Sequence, residues 1–172
     1  QQYRGPNAIG TALTDDRALV VHAQEHFLER NGFLTCAAAP IHAADGRLLG
    51  VLDVSGDHRG YHRHTLALVR SAVRMIEHRL FDTRHDPRHW SGLRLRLHAQ
   101  PEGLGTVTEG LLAVREDGLL VGASVTALQL LGDILGHKLG VHFRTADFIY
   151  FKRKLTAELL TKVVAQLFDF ID

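Results

Sequence analysis

Apolar residues occupy consecutive positions in two neighbouring stretches, Leu34 to Ile41 and Leu48 to Val54, separated by Asp45-Gly46. Asp-Gly is a tight-turn signal, so the two stretches read as strands folded back on each other. Because the apolar positions do not merely alternate, both faces of this hairpin are expected to be covered. The first strand carries Cys36, Ala37, Ala38 and Ala39 in a row. Side chains this small leave room for a helix at close range or for a small cavity. Asp53 is the single acid inside the second apolar run. A buried carboxylate requires a partner, so Asp53 is tied to protein donors or faces a polar ligand.

Helical periodicity is clearest from Thr65 to Phe81. Leu66, Val69, Val73, Ile76 and Leu80 recur in steps of three and four, forming a heptad-like seam, with Leu68, Ala72 and Met75 as a second stripe beside it. One stripe covers the sheet and the other is available to a partner helix; a wider face buried inside one chain is the alternative. Ahead of the hairpin, Asn7 is placed to cap a short helix, Ala18–Val21 reads as a short strand, and His22–Glu29 as a short helix ending near Asn31-Gly32. That helix is expected to cover the Cys36–Ala39 face, with Phe27 and Leu28 packing inward.

Beyond Phe81 the chain is charged and aperiodic to Gly92, with Arg84, His85, Arg88 and His89 forming a solvated basic hinge. Leu93–Leu97 alternates with Arg94 and Arg96, the pattern of an edge strand. Leu111–Val114 and Leu119–Val121 flank Asp117-Gly118 as a second hairpin. Ser124 caps a helix whose apolar side includes Ala127, Leu128 and Leu131, stopped at Gly132. In the tail, Phe148–Phe151 reads as a strand and Thr156–Ile171 as an amphipathic helix.

Composition narrows the functional classes. The chain has 172 residues, 45% hydrophobic and 23% charged with net charge +1, the profile of an ordinary globular protein with no broad basic footprint for nucleic acid. Its single cysteine excludes an internal disulfide framework and suits a reducing, cytoplasmic setting. No apolar run approaches the ~20 residues of a membrane span. The first residue is Gln1, so the chain reads as cut from something larger.

His22-Ala23-Gln24-Glu25-His26 matches the inverted zinc-protease pattern, in which two histidines one helical turn apart hold zinc beside a glutamate. Such a site needs a long helix and a third ligand, and neither is evident; no stoichiometric metal is expected. His58, His62 and His64 read as solvated loop residues. No phosphate loop of the form G-x-x-x-x-G-K-[ST], no G-x-S-x-G elbow and no helix-turn-helix with a basic recognition helix is present. The chain by itself is therefore expected neither to hydrolyse ATP nor to bind DNA.

The stretch CAAAPI, the Asp-Gly turn and RLLGVLDVSG resemble the central hairpin of a GAF domain, in particular that of the acetoin-catabolism-regulator family of sigma-54-dependent transcriptional activators. NAIGTAL (Asn7–Leu13), VVHAQEHFLE (Val20–Glu29) and HRHTLALVRSAVRMIEHRLF (His62–Phe81) fit the same family in order and spacing. Pro6 stands where that family usually has threonine. EGLLAVREDGLLVGASVTALQLLG resembles the start of a PAS domain, which follows GAF in these regulators, with Ser124 where asparagine is usual.

The resemblance implies an α+β fold: a GAF-like antiparallel sheet with flanking helices, followed by an incomplete PAS-like segment. The expected organisation is a GAF-like domain over residues 1–81 lacking its N-terminal part, a linker over 82–98, and a PAS-like segment with a helical tail over 99–172. The implied function is a cytoplasmic, non-enzymatic sensing module that takes a small effector such as an acetoin-like metabolite, uses no cofactor and dimerises through helix 65–81. Candidate ligand-binding residues are His22, His26, Phe27, Cys36, Ala38 and Asp53. Two alternatives stand beside it. One is a ligand-free interaction module. The other is a free-standing GAF-type enzyme; methionine-sulfoxide reduction on this fold needs paired or resolving cysteines, and Cys36 is alone.

Overall fold

The computed structural model describes residues 7–139, with side chains through residue 132. The strand and helix expected at 148–151 and 156–171 lie outside the described residues. The chain divides into two compact units, one of residues 1–43 and 47–77, the other of residues 44–46 and 78–172.

The first unit contains α1 (Ala8–Asp15), a three-stranded antiparallel sheet of β1 (Leu19–His22), β2 (Leu34–His42) and β3 (Leu48–Asp57), and the first part of α2 (Thr65–Arg84). The strand order is β1-β2-β3, so the alanine-rich strand is central. Asn7 caps α1 as expected, its Oδ1 accepting from the Gly10 N–H at 2.8 Å. The helix stops at Asp16, which adopts a left-handed conformation with φ of 49°. Gly46, with φ of 85°, supplies the turn between β2 and β3 that a side chain would strain.

Alternation along β2 separates its two faces. Cys36 and Ala38 face α1 and pack with Ala8 and Ala12; Ala37 and Ala39 pack with Val69 and Val73 of α2. Helices thus cover both faces of the central strand. β3 differs from the expectation: Leu48, Leu49 and Val54 are exposed, because it is an edge strand that the helices cover only in part.

The seam expected on α2 divides as well. Val69 and Val73 are buried against the chain's own sheet together with half-buried Leu66, while Leu68 (68% exposed) and Met75 (57%) stand in solvent with Ile76 and Leu80. Residues 65, 69 and 73 fall on the covered side and 68 and 75 on the open side, which steps of three and four alone do not distinguish.

A second correction concerns residues 22–31. In place of one helix there are two single 3₁₀ turns, Ala23–Glu25 and Glu29–Asn31. Ala23 has a positive φ of 46°, which no helical run accommodates, and Phe27 is 65% exposed, not packed inward.

The second unit is built on β4 (Leu93–Leu97), β5 (Gly110–Val114), β6 (Leu120–Ala123) and α3 (Val125–Leu139), with antiparallel strand order β4-β5-β6. Leu93–Leu97 is the edge strand its alternation predicts. β5 is buried throughout. Leu112 and Val114 meet Ala127 and Leu131 of α3, while Leu111 and Ala113 meet Phe81 and Ala44 on the other side. Ser124 Oγ accepts from the Ala127 N–H at 3.1 Å and the Leu111 N–H at 2.9 Å, joining the start of α3 to β5.

Two expectations fail in this unit. α3 continues past Gly132 to Leu139, since one glycine costs a helix interior only ~1 kcal/mol. The hinge expected around His85 is partly ordered core: α2 continues to Arg84, and His85 is 2% exposed between Phe81 and Trp90, with ring centroids 4.5 and 5.0 Å away. Burial lowers the His85 pKa from its ordinary value, so the ring packs as a neutral aromatic.

Gly110 marks the closest approach of β5 to α3. A Cβ there would lie 2.6 Å from the Cα of Ala127. Gly110→Ala therefore forces backbone apart and is expected to lower stability by roughly 1–3 kcal/mol. Chemical denaturation that finds the variant as stable as the parent would contradict this packing.

Candidate functional site

The polar groups gathered on the α1 face of the first sheet come from three segments. β2 and β3 pair antiparallel with Cys36 opposite Ser55 and Ala38 opposite Asp53, which sets these four side chains on one face. His26, following the first 3₁₀ turn, lies against that face and is 8% exposed.

The geometry fixes most of the protons. His26 Nδ1 is 3.0 Å from the Ala23 carbonyl oxygen, an acceptor only, so Nδ1 carries the hydrogen. In the neutral ring Nε2 then accepts, and it lies 3.4 Å from Cys36 Sγ. Ser55 Oγ is 2.6 Å from Asp53 Oδ2 and 3.1 Å from Cys36 Sγ. The hydroxyl has one hydrogen, and the shorter charge-assisted bond to the carboxylate takes it. Asp53 Oδ1 is buried with no hydrogen-bond partner among the described residues.

Of the six residues singled out from sequence, His26, Cys36 and Asp53 converge here, with Ser55 linking the last two. Ala38 lies on the same face, fully enclosed in the cluster that contains Ala8 and Ala12. Of the two uses open to a small side chain at that position, close approach of a helix is the one present.

His22 is directed elsewhere. Its Nδ1 meets Thr35 Oγ1 at 2.6 Å, and its ring lies 5.3 Å from Tyr61 and 6.1 Å from His58. Phe27 points to solvent. His22 and His26 thus engage different partners, not one centre. Among the described residues no group of three His, Cys, Asp or Glu side chains could hold a metal ion. Ser55 was missed in the sequence because a serine near the end of a strand is common; its only signal is the two-residue spacing from Asp53, which puts both on one face.

A second polar cluster was also missed. His42, at the bulge ending β2, places Nε2 2.7 Å from Asp16 Oδ1 and Nδ1 3.4 Å from Glu77 Oε1. Glu77 Oε1 also accepts from the His42 backbone N–H at 2.8 Å. The imidazole and the Glu77 side chain are about nine-tenths buried. With a carboxylate at each ring nitrogen, the doubly protonated imidazolium fits best. The His42 pKa is raised, chiefly by the Glu77 hydrogen bond and further by the charge of Asp16, with burial opposing.

Residues 1–80 match the family model described as GAF domain. The chain is 36% identical over 139 residues to the acetoin catabolism regulatory protein of Cupriavidus necator, covering 77% of this chain and 20% of that protein. It is 38% identical over 80 residues to a signal-transduction and transcriptional-control protein of Clostridium beijerinckii, covering 46% of this chain and 13% of that one. It is likewise 38% identical over 76 residues to the acetoin dehydrogenase operon transcriptional activator AcoR of Bacillus subtilis, covering 44% and 13%.

The resemblance to a GAF domain thus rests on the first part of the chain. More particularly, it is similar to part of the acetoin catabolism regulatory protein and part of the AcoR activator. The chain spans a fifth or less of the length of these relatives. No helix among the described residues is long and apolar enough to cross a membrane.

The His42 cluster makes a signed prediction. A histidine whose folded pKa is raised binds its proton more tightly when folded, so its contribution is complete below about pH 6.5, the ordinary value, and is lost as pH rises through the higher folded value. Denaturation midpoints between pH 6 and pH 9 should fall with rising pH in the parent, and this component should vanish in His42→Gln. An unchanged pH profile in that variant would show that His42 does not carry the linkage.

Proposed function

We propose that this chain is the effector-sensing portion of a bacterial transcriptional activator, with a small polar metabolite bound on the α1 face of the GAF sheet. The observation that carries the reading is the match of residues 1–80 to GAF domains together with relatives named as regulators of acetoin catabolism. The cluster of His26, Cys36, Ser55 and Asp53 supplies polar groups on a mostly apolar face, the composition of sites that orient small ligands. Cys36 borders that site beside the enclosed Ala38, and His22 and Phe27 lie on the segment that would close over it. The chain acts without catalysis or cofactor, in the cytoplasm, and the segment from 99 onward is a PAS-like continuation that follows the GAF domain in these regulators.

In this reading α2 carries the signal. Its buried side, through Val69 and Val73, rests on the sheet beneath the site, while Leu68 and Met75 on its outer side meet the same helix of a second copy. A ligand that binds one arrangement more tightly shifts the balance between arrangements by that difference in affinity.

Two measurements test the proposal. A library of small metabolites should contain compounds that raise the melting temperature of the chain, since a ligand at one hundred times its Kd adds about 2.7 kcal/mol; a library without a single hit would sink the sensing reading. Sedimentation at micromolar concentration should give a dimer, reduced to a folded monomer by Met75→Glu, whose side chain is exposed within one copy and so leaves the fold intact. A monomeric parent would remove the helix-to-helix contact while leaving ligand binding untouched.

A further inference from the structure

We infer that α1 is a flap latched onto the first sheet by the charged His42 ring, and that loss of the ring's proton releases it. The inference is independent of the sensing reading above: it concerns what uncovers one face of the sheet, not what binds there.

α1 is weakly held by its other contacts. Its eight residues are fewer than the ~12–15 an isolated helix needs, so tertiary contacts must keep it in place. Those contacts are small, since its buried residues are Ala8, Gly10 and Ala12 while Ile9 is exposed. The C-terminal end of the helix is electrostatically unfavourable. Asp15 and Asp16 put two carboxylates at the negative end of the helix dipole, where the last turn has no basic residue. Asp16 also holds a left-handed backbone with φ of 49°, which residues other than glycine rarely adopt. Arg17 offsets Asp15 at 3.1 Å. For Asp16 the offsetting charge is the imidazolium of His42, 2.7 Å away.

The ring lies between α1 and α2, with Asp16 at Nε2 and Glu77 at Nδ1, and these two carboxylates are the charges that act on it. The turn that follows in sequence carries Asp45, which pairs with Arg84, and Arg47, which is itself engaged. Removing one proton leaves one hydrogen for two carboxylates. Glu77, with its side chain 11% exposed, has little water to turn to, whereas Asp16 at 41% has access to it. The desolvated Glu77 therefore keeps the hydrogen and Asp16 lets go. In the other tautomer the Asp16 bond survives without its charge, so the offset at the helix end is lost in either case. The raised His42 pKa gives the sign: the latch is complete below about pH 6.5 and opens as pH rises through the folded value. Opening lifts Ala8 and Ala12 from Cys36 and Ala38, against which they pack.

Hydrogen exchange on the full 172-residue chain tests the latch. With rates corrected for the intrinsic effect of pH, protection of the α1 amides should fall between pH 6 and pH 9, about tenfold for each unit by which docking raises the His42 pKa. Protection of β2 should stay level. His42→Gln, which carries no charge, should leave α1 poorly protected at every pH. That variant should also label Cys36 with iodoacetamide roughly tenfold faster than the parent at pH 6, the two rates converging by pH 9. Taking the ratio of the two chains at each pH cancels ionisation of the thiol. Asp16→Asn removes the charge at an exposed position and suits the left-handed backbone, so it should keep the fold and flatten the pH profile. Protection of α1 that does not change with pH in the parent would overturn the latch. A loss spread equally over β2 and α2 would do the same by marking global unfolding, as would a parental slope that survives in Asp16→Asn.

Discussion

The first unit depends on one constraint: β2 is covered by a helix on each face. Two helices can flank one strand closely only where that strand carries small side chains, and Cys36 to Ala39 meet the requirement. α1 answers in kind, presenting Ala8, Gly10 and Ala12 as its buried residues. Each alanine contributes little apolar area, but the small-to-small contact brings backbones near one another, and dense packing recovers dispersion energy that a looser interface of larger groups would not. Enlarging any of these residues pushes a helix off the sheet, so the tolerance for volume is lower here than in a core of leucines.

That geometry explains what was legible in the sequence. The hairpin, the cap at Asn7, the long helix and the edge strand at Leu93–Leu97 were readable because each rests on a local rule: a turn dipeptide, a side chain reaching its own backbone, or strict periodicity. The failures share a cause of the opposite kind. Residues 22–31 adopt two short turns because Ala23 takes a left-handed conformation and the Glu25 carboxylate accepts from the His22 N–H at 2.7 Å. Neither is encoded by an apolar pattern. The burial of His85 depends on Phe81 and Trp90 arriving from either side, and composition alone marks that residue only as one member of a basic run. The polar clusters were half legible. Asp53 announced itself as an acid in an apolar strand, whereas Ser55 and the His42–Asp16–Glu77 group are assembled from segments far apart in the chain.

The two polar clusters of the first unit obey different electrostatics. At His42 the charges balance internally: an imidazolium lies between two carboxylates, and both ring nitrogens and one backbone N–H find acceptors. Such an arrangement is complete and serves to hold the ends of α1 and β2 to α2. At Asp53 the balance is left open, since one carboxylate oxygen has Ser55 and the other has no protein partner among the described residues. A cluster that satisfies every member fixes structure; one that leaves a buried acceptor unmet stores a preference for whatever can meet it.

α2 is the element through which such a preference can be read out. Its buried residues Val69 and Val73 touch Ala37 and Ala39, and those alternate along the same strand with Cys36 and Ala38, which lie on the polar cluster's face. A shift of one strand relative to its neighbour is therefore felt on both faces at once, because successive residues point to opposite sides of a backbone too stiff to absorb it locally. The small side chains add to this coupling. A leucine can change rotamer to accommodate a displaced neighbour, but an alanine has no rotamer to change, so displacement passes to the helix instead. On the far side of that helix Leu68 and Met75 stand exposed. The alanines of β2 thus do two things with one property: they let the helices approach, and they leave the strand no soft side chains in which a movement could be lost.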